Sequence, residues 1–300
     1  MNGNNQSWRY LVITLGAITF LQWVARFFLF HLYESPKFLL AKGRQEEAVA
    51  VVHCLAHKNG KKTWLTSKLL DDLAGAAESQ EKAKLSNIEI IKHSLSKFSV
   101  DRFAPLFTDR KIGLSTVLLW FIWATIGMGY PLFNAFLPQY IGQSGDLSTN
   151  TVYRNYAITN VVGVPGSIIA IYTVNLKYVG RKGTMAIATV LTGVFVCLFT
   201  VSKDPNFQLG MTCMEALFQN VMYGVLYAYT PEVFPANVRG TATGISSTFN
   251  RIAGLCAPLV GIYAGGANPR SPIYASAALF FAAFLAMLAL PIETRGKQSL

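Results

Sequence analysis

Two ionisable side chains lie well inside long apolar stretches of this chain. Glu215 lies within the stretch 208–229 and Arg251 within the stretch 240–263. A charge in the middle of a membrane span costs about 2.5–3.5 kcal/mol on insertion scales, so each needs a partner or a function. At about 1.5 Å per residue their depths agree to roughly 8 Å, and consecutive antiparallel helices would let them pair. Such a pair would fix helix packing or form a substrate or proton site, and both interpretations stay open.

Uncharged polar residues accompany these two charges. An amide buried in hydrocarbon without a partner is costly, so such residues indicate either a partner or a watery cavity. Together with Glu215 and Arg251, the candidate solute contacts are Asn134, Gln219, Asn220, Tyr223 and Asn250. Their chemistry is hydrogen bonding and charge pairing with a small polar solute.

Patterns typical of catalysis and metal binding are not found in the sequence. The four histidines, His31, His53, His57 and His93, lie at or beyond the edges of the apolar stretches and do not converge. No phosphate-binding loop, CxxC pair or nucleophile constellation is present. We therefore expect a protein that is not an enzyme and that needs no metal or cofactor.

Seven apolar stretches, separated by more polar segments, must position the candidate residues. They run over about 10–32, 112–137, 156–176, 184–201, 208–229, 240–263 and 273–290. An α-helix needs about 20 residues to cross roughly 30 Å of hydrocarbon. Only 14% of the residues are charged, against about 25% in soluble domains. The pattern predicts an all-α membrane protein with seven transmembrane helices.

The distribution of basic residues predicts the orientation. The formal net charge is +11, but more than half of the Lys and Arg lie between Pro36 and Lys111, next to acids. This pattern argues against a nucleic-acid partner and favours a cytoplasmic loop, because Lys and Arg resist translocation. The turn 177–182 and the tail after 290 are basic as well. We therefore expect the N-terminus outside and the C-terminus in the cytoplasm, in a plasma or organelle membrane.

The spacing of the stretches predicts one isolated helix followed by six closely spaced ones. We expect a first transmembrane helix over 1–32, a cytoplasmic loop over 33–111, a six-helix unit over 112–290 and a cytoplasmic tail over 291–300. The loop is expected to contain amphipathic helices. Arg44–His57 has apolar residues at helical spacing, and Ser86–Phe98 opens with a capping-box pattern.

Four short motifs in the inner loops resemble those of a known family. They are Glu34–Leu39 (ESPKFL), Gly180–Gly183 (GRKG), Pro231–Gly240 (which contains PEVFP and RG) and Pro291–Gly296 (PIETRG). Their order makes the chain resemble the C-terminal part of a major facilitator superfamily (MFS) transporter. The type is that of sugar porters and of fungal proteins similar to synaptic vesicle glycoprotein 2. The stretches would be counterparts of family spans six to twelve, with the last six forming one half of the MFS fold.

The resemblance also implies a cytoplasmic gate. Charges of these motifs would pair with helix ends and with each other, and would hold the cytoplasmic side closed while the outer side is open. The matching residues are Glu34, Arg181, Lys182, Glu232, Arg239 and Glu293. For Arg181 and Lys182, ordinary positive-inside topology explains the charges equally well.

The function that the resemblance implies is secondary transport of a small polar solute by alternating access. The solute would be a sugar, a carboxylate or an organic ion, with symport of protons as an open alternative. The QQxxGxxxxxYY pattern of hexose porters is absent from 112–137, which argues against hexose. Family spans one to five have no counterpart here, so we expect an incomplete transporter.

Two alternative functions compete with transport. A truncated, non-transporting remnant or a half-transporter would need a full-length transporter or the missing N-terminal half as its partner in the lipid bilayer. A seven-helix receptor would share the count of stretches and the outer N-terminus. However, the outer cysteines of such receptors are missing, and the long inner loop follows the first stretch. The receptor interpretation is therefore disfavoured.

Overall fold

A computed structural model of the chain describes residues 7–29, 33–41, 43–74, 106–107, 109–143, 148–176, 179–235, 238–267 and 270–295. All regular structure in these ranges is helical. The chain divides into two compact units, residues 1–87 and 88–300, and each is treated by itself. The helix expected over Ser86–Phe98 lies outside the described residues.

The described part of the first unit contains one long apolar helix and three shorter helices. These are α1 (Ser7–Leu29), α2 (Pro36–Ala41), α3 (Gln45–Lys58) and α4 (Ser67–Ala74). The large apolar side chains of α1 are exposed, which suits a helix surrounded by lipid. α3 lies where the sequence predicts an amphipathic helix. It has Glu46 and Glu47 in its first turn and His57 and Lys58 in its last, as the helix dipole favours.

Among its described residues, the second unit contains six long helices and one short one. These are α5 (Arg110–Asn134), α6 (Leu137–Gln143), α7 (Thr149–Thr173), α8 (Gly180–Phe199), α9 (Pro205–Val233), α10 (Arg239–Ala267) and α11 (Ser271–Ala289). Asp109, Ser148 and Asp204 cap the starts of α5, α7 and α9, because their side chains accept hydrogen bonds from backbone N–H groups of the first turn.

The six long helices of the second unit pack in the order α10, α5, α11, α8, α9, α7. Glycines allow the backbones of neighbouring helices to approach closely. A Cβ atom at Gly127 on α5 would lie 2.6 Å from the carbonyl oxygen of Asn250 on α10. A Cβ atom at Gly166 on α7 would overlap the carbonyl oxygen of Leu217 on α9. The helix pairs α5–α10 and α7–α9 are therefore tightly joined and form two sides of the bundle.

The core of the second unit lies between these helices. Its largest fully buried side chains include Trp123, Phe133, Tyr229, Phe234 and Phe280. Lipid supplies little hydrophobic driving force between helices, so close packing of such side chains stabilises the bundle.

Five helices among the described residues are long and apolar enough to cross a membrane. They are Arg9–Phe28, Arg110–Asn134, Asn150–Thr173, Gly180–Phe199 and Ser271–Ala289. The helices α9 and α10 have 29 residues each. They fall below these five in apolar character, since they carry most of the polar candidate residues. The predicted all-helical architecture is confirmed, and the count of seven spans stays a prediction.

Candidate functional site

A cavity of about 740 Å³ lies in the second unit between α5, α7, α9 and α10. Small-molecule sites occupy about 300–1,000 Å³, so a small solute fits this volume. Six of the seven solute contacts predicted from the sequence line the cavity: Asn134, Gln219, Asn220, Tyr223, Asn250 and Arg251. The other lining residues are Gly127, Tyr130, Pro131, Thr159, Asn160, Ala216, Tyr227, Gly254 and Leu255. The fold thus brings polar side chains from four helices into one space.

Glu215, the seventh candidate, lies behind the cavity wall. Its side chain on α9 is fully buried and does not line the cavity. Asn134 donates through Nδ2 to Oε1 of Glu215 at 3.1 Å, and at 3.4 Å to Oε1 of Gln219. A buried carboxyl group needs such a donor. Glu215 is therefore placed to orient Asn134, and this geometry does not support it as a direct solute contact.

Glu215 and Arg251 do not form the ion pair that the sequence left open. Glu215 accepts from Asn134, whereas Arg251 is exposed and lines the cavity. Within the described ranges Arg251 makes no hydrogen bond or ion pair. Similar depth along two helices is not sufficient for a pair, because both side chains must also face each other.

Two asparagines of the wall are held by neighbouring backbone. Asn250 on α10 donates through Nδ2 to the carbonyl oxygen of Trp123 on α5 at 3.2 Å, and so links the two helices. Asn220 donates to the carbonyl oxygen of Ala216, one turn earlier on α9, at 2.9 Å. Side chains that are held in this way keep their positions in the cavity wall when a solute enters.

Three tyrosines form an aromatic surface on the cavity, and we call Tyr130, Tyr223 and Tyr227 the tyrosine wall. The ring centroids of Tyr130 and Tyr223 are 6.0 Å apart at an interplanar angle of 89°. Those of Tyr223 and Tyr227 are 6.1 Å apart at 29°. Sequence reasoning found only Tyr223. The i, i+4 spacing of Tyr223 and Tyr227, which places both on one helix face, is the signal that would have revealed Tyr227.

Motif residues meet at one end of the second unit, and we call Gly180, Arg181, Lys182, Glu232 and Glu293 the motif end. Glu293 accepts hydrogen bonds from the backbone N of Arg181 at 3.2 Å and of Lys182 at 3.1 Å. The carboxylate thereby caps the start of α8, where free N–H groups and the helix dipole attract an anion. Gly180 has φ +62°, and a Cβ atom there would lie 3.0 Å from this carboxyl group. A glycine is therefore required at this turn.

Side chains of the motif end tie α8 to α9 and to the segment after α11. Nε of Arg181 lies 2.9 Å from Oε2 of Glu232 on α9. This contact is an ion pair without hydrogen-bond alignment, since Oε2 accepts no hydrogen bond from the described residues. Nζ of Lys182 donates to the carbonyl oxygen of Leu290 at 2.6 Å. Four of the six gate candidates therefore belong to one network.

The other two gate candidates lie elsewhere. Arg239 donates through Nη2 to the carbonyl oxygen of Phe234 at 3.3 Å, across the turn between α9 and α10. Glu34 is exposed just before α2, in the first unit. The structure thus gives Arg239 a role in the turn and provides no partner for Glu34 among the described residues of its own unit.

Comparison with known proteins supplies the family. The family described as "Sugar (and other) transporter" matches residues 1–298. The chain belongs to this family. The MFS siderochrome iron transporter 1 of Ceriporiopsis subvermispora is 42% identical over 99% of this chain and 57% of its own length. An uncharacterized MFS-type transporter of Schizosaccharomyces pombe is 41% identical over 99% of this chain and 56% of its own length.

A solved structure supports the fold. The MFS proton:xylose symporter XylE, bound to 6-bromo-6-deoxy-D-glucose, matches with a TM-score of 0.63 and 20% identity, over 97% of this chain and 57% of that one. The family match and the two relatives confirm the predicted resemblance to the MFS. The chain is a multi-pass membrane protein of a transporter family, not an enzyme. It spans about half the length of the curated relatives it matches.

Proposed function

We propose that the chain forms one half of a secondary transporter, and that a small polar solute binds in the cavity between α5, α7, α9 and α10. The observation that carries this proposal is the cavity wall. Asn134, Gln219, Asn220, Asn250 and Arg251 bring amide groups and a charge into an apolar bundle. Such groups are unfavourable in hydrocarbon unless they meet partners or water. A solute path provides both.

In this proposal the motif end acts as the gate. The ion pair of Arg181 with Glu232 and the hydrogen bonds of Glu293 join α8, α9 and the segment after α11. These contacts would hold the end closed in the outward-open state and part when the two halves of the transporter rock. The surplus of Lys and Arg in the loop 33–111, the turn 177–182 and the tail after 290 supports a cytoplasmic motif end, an outer N-terminus and seven spans.

Proton coupling is a second part of the proposal. Glu215 is fully buried, and its Oε2 atom accepts no hydrogen bond from the described residues. A carboxylate that takes up a proton loses its charge, and its hydrogen bond with Asn134 becomes weaker. Because Asn134 lines the cavity, protonation and solute binding would be linked. Uptake should then depend on a proton gradient directed into the vesicle, with the outside more acidic. Glu215→Gln should remove that dependence.

The half-transporter interpretation has its own support. The chain covers 57% of the siderochrome iron transporter and 56% of the Schizosaccharomyces relative. A cavity wall built by one half needs a facing half to enclose a solute. We therefore propose that the partner is an N-terminal half or a full-length transporter. A truncated, non-transporting remnant stays as the alternative.

Uptake into reconstituted vesicles tests this proposal. One set of vesicles holds the chain alone, and the other adds the part of the Schizosaccharomyces relative that this chain does not match. Labelled sugars, carboxylates and organic cations serve as solutes. We expect saturable uptake of at least one solute only when both parts are present.

Two variants sharpen the uptake experiment. Asn134→Ala removes a cavity residue and should abolish the uptake. Leu285→Ala, at an exposed side chain on α11, is the control and should leave the uptake intact. If both protein parts are folded in the vesicles and no solute shows saturable uptake, transport is refuted. Saturable uptake by the chain alone would refute the need for a partner.

A further inference from the structure

We infer that the cavity selects an organic anion with a planar ring, and that Arg251 binds the negative group. The inference rests on the proposed function, because it names the solute class of the same cavity. Of the sugars, carboxylates and organic ions considered as solutes, it selects negatively charged molecules with a planar ring.

The charge of the cavity comes from a single side chain. Among the described lining residues, Arg251 alone is charged. It makes no hydrogen bond or ion pair within the described ranges. The nearby acid, Glu215, is fully buried behind Asn134. A guanidinium group attracts a carboxylate and holds it through two parallel N–H donors, most strongly once a facing half excludes water from the cavity. An organic cation would be repelled by the same group.

The shape preference comes from the tyrosine wall. Asn250, which adjoins Arg251 in the chain, donates to the carbonyl oxygen of Trp123 at 3.2 Å. The ring of Trp123 meets the ring of Tyr227 edge-on, with centroids 4.8 Å apart. This series of contacts links Tyr227 through Trp123 to Asn250, the residue next to Arg251 on the cavity wall. Tyr227 is exposed, so its face can stack on a planar group. A ring stacked there would direct an anionic substituent toward Arg251.

A neutral sugar suits this wall less well than an anion. A sugar carries no charge to compensate Arg251 when the cavity closes and water leaves. An unpaired buried charge is strongly unfavourable, whereas a paired one is tolerated. The amides of Asn134, Gln219 and Asn220 then serve the polar substituents of the ring.

Binding of three benzene derivatives tests the inference. Benzoate, benzamide and benzylamine share a ring and carry a negative, no and a positive charge, and acetate carries the negative group without the ring. Equilibrium binding of each labelled probe is measured in lipid nanodiscs that hold the full chain together with the facing half used in the uptake experiment. We expect benzoate to bind about tenfold or more tightly than the other three. Equal binding of benzamide, tighter binding of benzylamine or absence of benzoate binding at millimolar concentration would overturn the inference.

Substitutions test which residues cause the preference for benzoate. Arg251→Gln should remove the advantage of benzoate over benzamide, and Arg251→Lys should keep part of it, because lysine retains the charge without the planar fork. Tyr227→Leu should weaken benzoate and benzamide alike. Arg154→Gln, at an exposed arginine of α7 that does not line the cavity, is the matched control. Melting curves establish that each variant is folded. An undiminished preference in folded Arg251→Gln protein would overturn the assignment.

This inference and the transport proposal fail in different ways. Saturable uptake of a sugar or an organic cation by vesicles with both halves would keep transport and overturn the anion class. Benzoate binding without uptake of any solute would keep the anion class and overturn transport.

Discussion

Asn134 on α5 donates through Nδ2 to Oε1 of Glu215 on α9 at 3.1 Å, inside the apolar bundle. The two helices also meet through the ring contacts of Tyr130 with Tyr223 and of Trp123 with Tyr227. Nε1 of Trp123 donates to Oγ1 of Thr230 at 3.0 Å. The hydrogen bond of Asn134 adds a buried polar link between the two sides of the cavity to these contacts. It makes Glu215 a positioning residue for a cavity side chain, and its removal should affect both stability and solute binding.

Glu215→Ala should lower the free energy of unfolding by about 1–3 kcal/mol, because the buried amide of Asn134 loses its main acceptor. Glu215→Gln retains an acceptor oxygen and should cost less. Thermal or denaturant unfolding in detergent measures both. Asn160→Ala is the control: Asn160 is exposed and bonds the carbonyl oxygen of Tyr156 on its own helix. It should change stability by less than about 0.5 kcal/mol. Equal losses at Glu215 and Asn160 would contradict the role of the cross-link.

Gly180→Ala should lower the free energy of unfolding by about 1–2 kcal/mol, since an alanine at φ +62° is strained. Its Cβ atom would also press against the carboxyl group of Glu293. Gly240→Ala, near the start of α10, is the matched control, because a Cβ atom there meets nothing within 4 Å. It should be neutral or stabilising by up to about 1 kcal/mol. If the two variants proved equally stable, the cap of α8 by Glu293 would not need a glycine.

The sequence predicted where the helices lie better than which way their side chains face. The apolar stretches 208–229 and 240–263 fall inside α9 and α10, which extend further, to Val233 and Ala267. The additional residues 230–233 include polar ones and residues 264–267 are only Ala and Gly, so neither segment extends a strongly apolar stretch. Each residue turns a helix by about 100°, so facing depends on tilt and on the neighbouring helix, which a single sequence does not contain. Glu215 therefore met Asn134 and not Arg251.

The motif end shows a different limit. The resemblance pointed to Arg181, Lys182, Glu232 and Glu293 as charges that pair. The structure shows Glu293 bound to backbone N–H groups more than 100 residues earlier in the chain. Backbone N–H groups carry no sequence signal, so this cap could not be predicted. The pairing of Arg181 with Glu232 also needed the packing of α8 on α9.

Exchanging the charges of Arg181 and Glu232 tests their ion pair. Arg181→Glu alone and Glu232→Arg alone each bring like charges together, and the double exchange restores attraction. Because the side chains are 21% and 29% exposed, we expect a coupling energy of about 0.5–1 kcal/mol in a double-mutant cycle of thermal unfolding. The cap by Glu293 stays in all three variants, since it uses backbone N–H groups. A coupling energy of zero would mean that the two charges act independently.

Labelling from each side of the membrane tests the orientation. A cysteine at Lys62, in the exposed segment after α3, should react with an impermeant thiol reagent only from the cytoplasmic side. A cysteine at Lys203, between α8 and α9, should react only from the outer side. The background protein has serine at the native cysteines Cys54, Cys197, Cys213 and Cys256. Reaction of both positions from one side would contradict the predicted topology.

The most direct test of the central claim, a water-filled solute path in the cavity, is the reactivity of a cysteine at Leu255. Leu255 lines the cavity on α10 and is 76% exposed, whereas Leu285 on α11 is 64% exposed and does not line it. Thiols react through the thiolate, which requires water. In vesicles that hold both halves, and with serine at the four native cysteines, we predict that Leu255→Cys reacts with an impermeant maleimide and that Leu285→Cys, on the lipid-facing side, does not. An unreactive cysteine at 255, or equal reactivity at both positions, would contradict a solute path through this cavity.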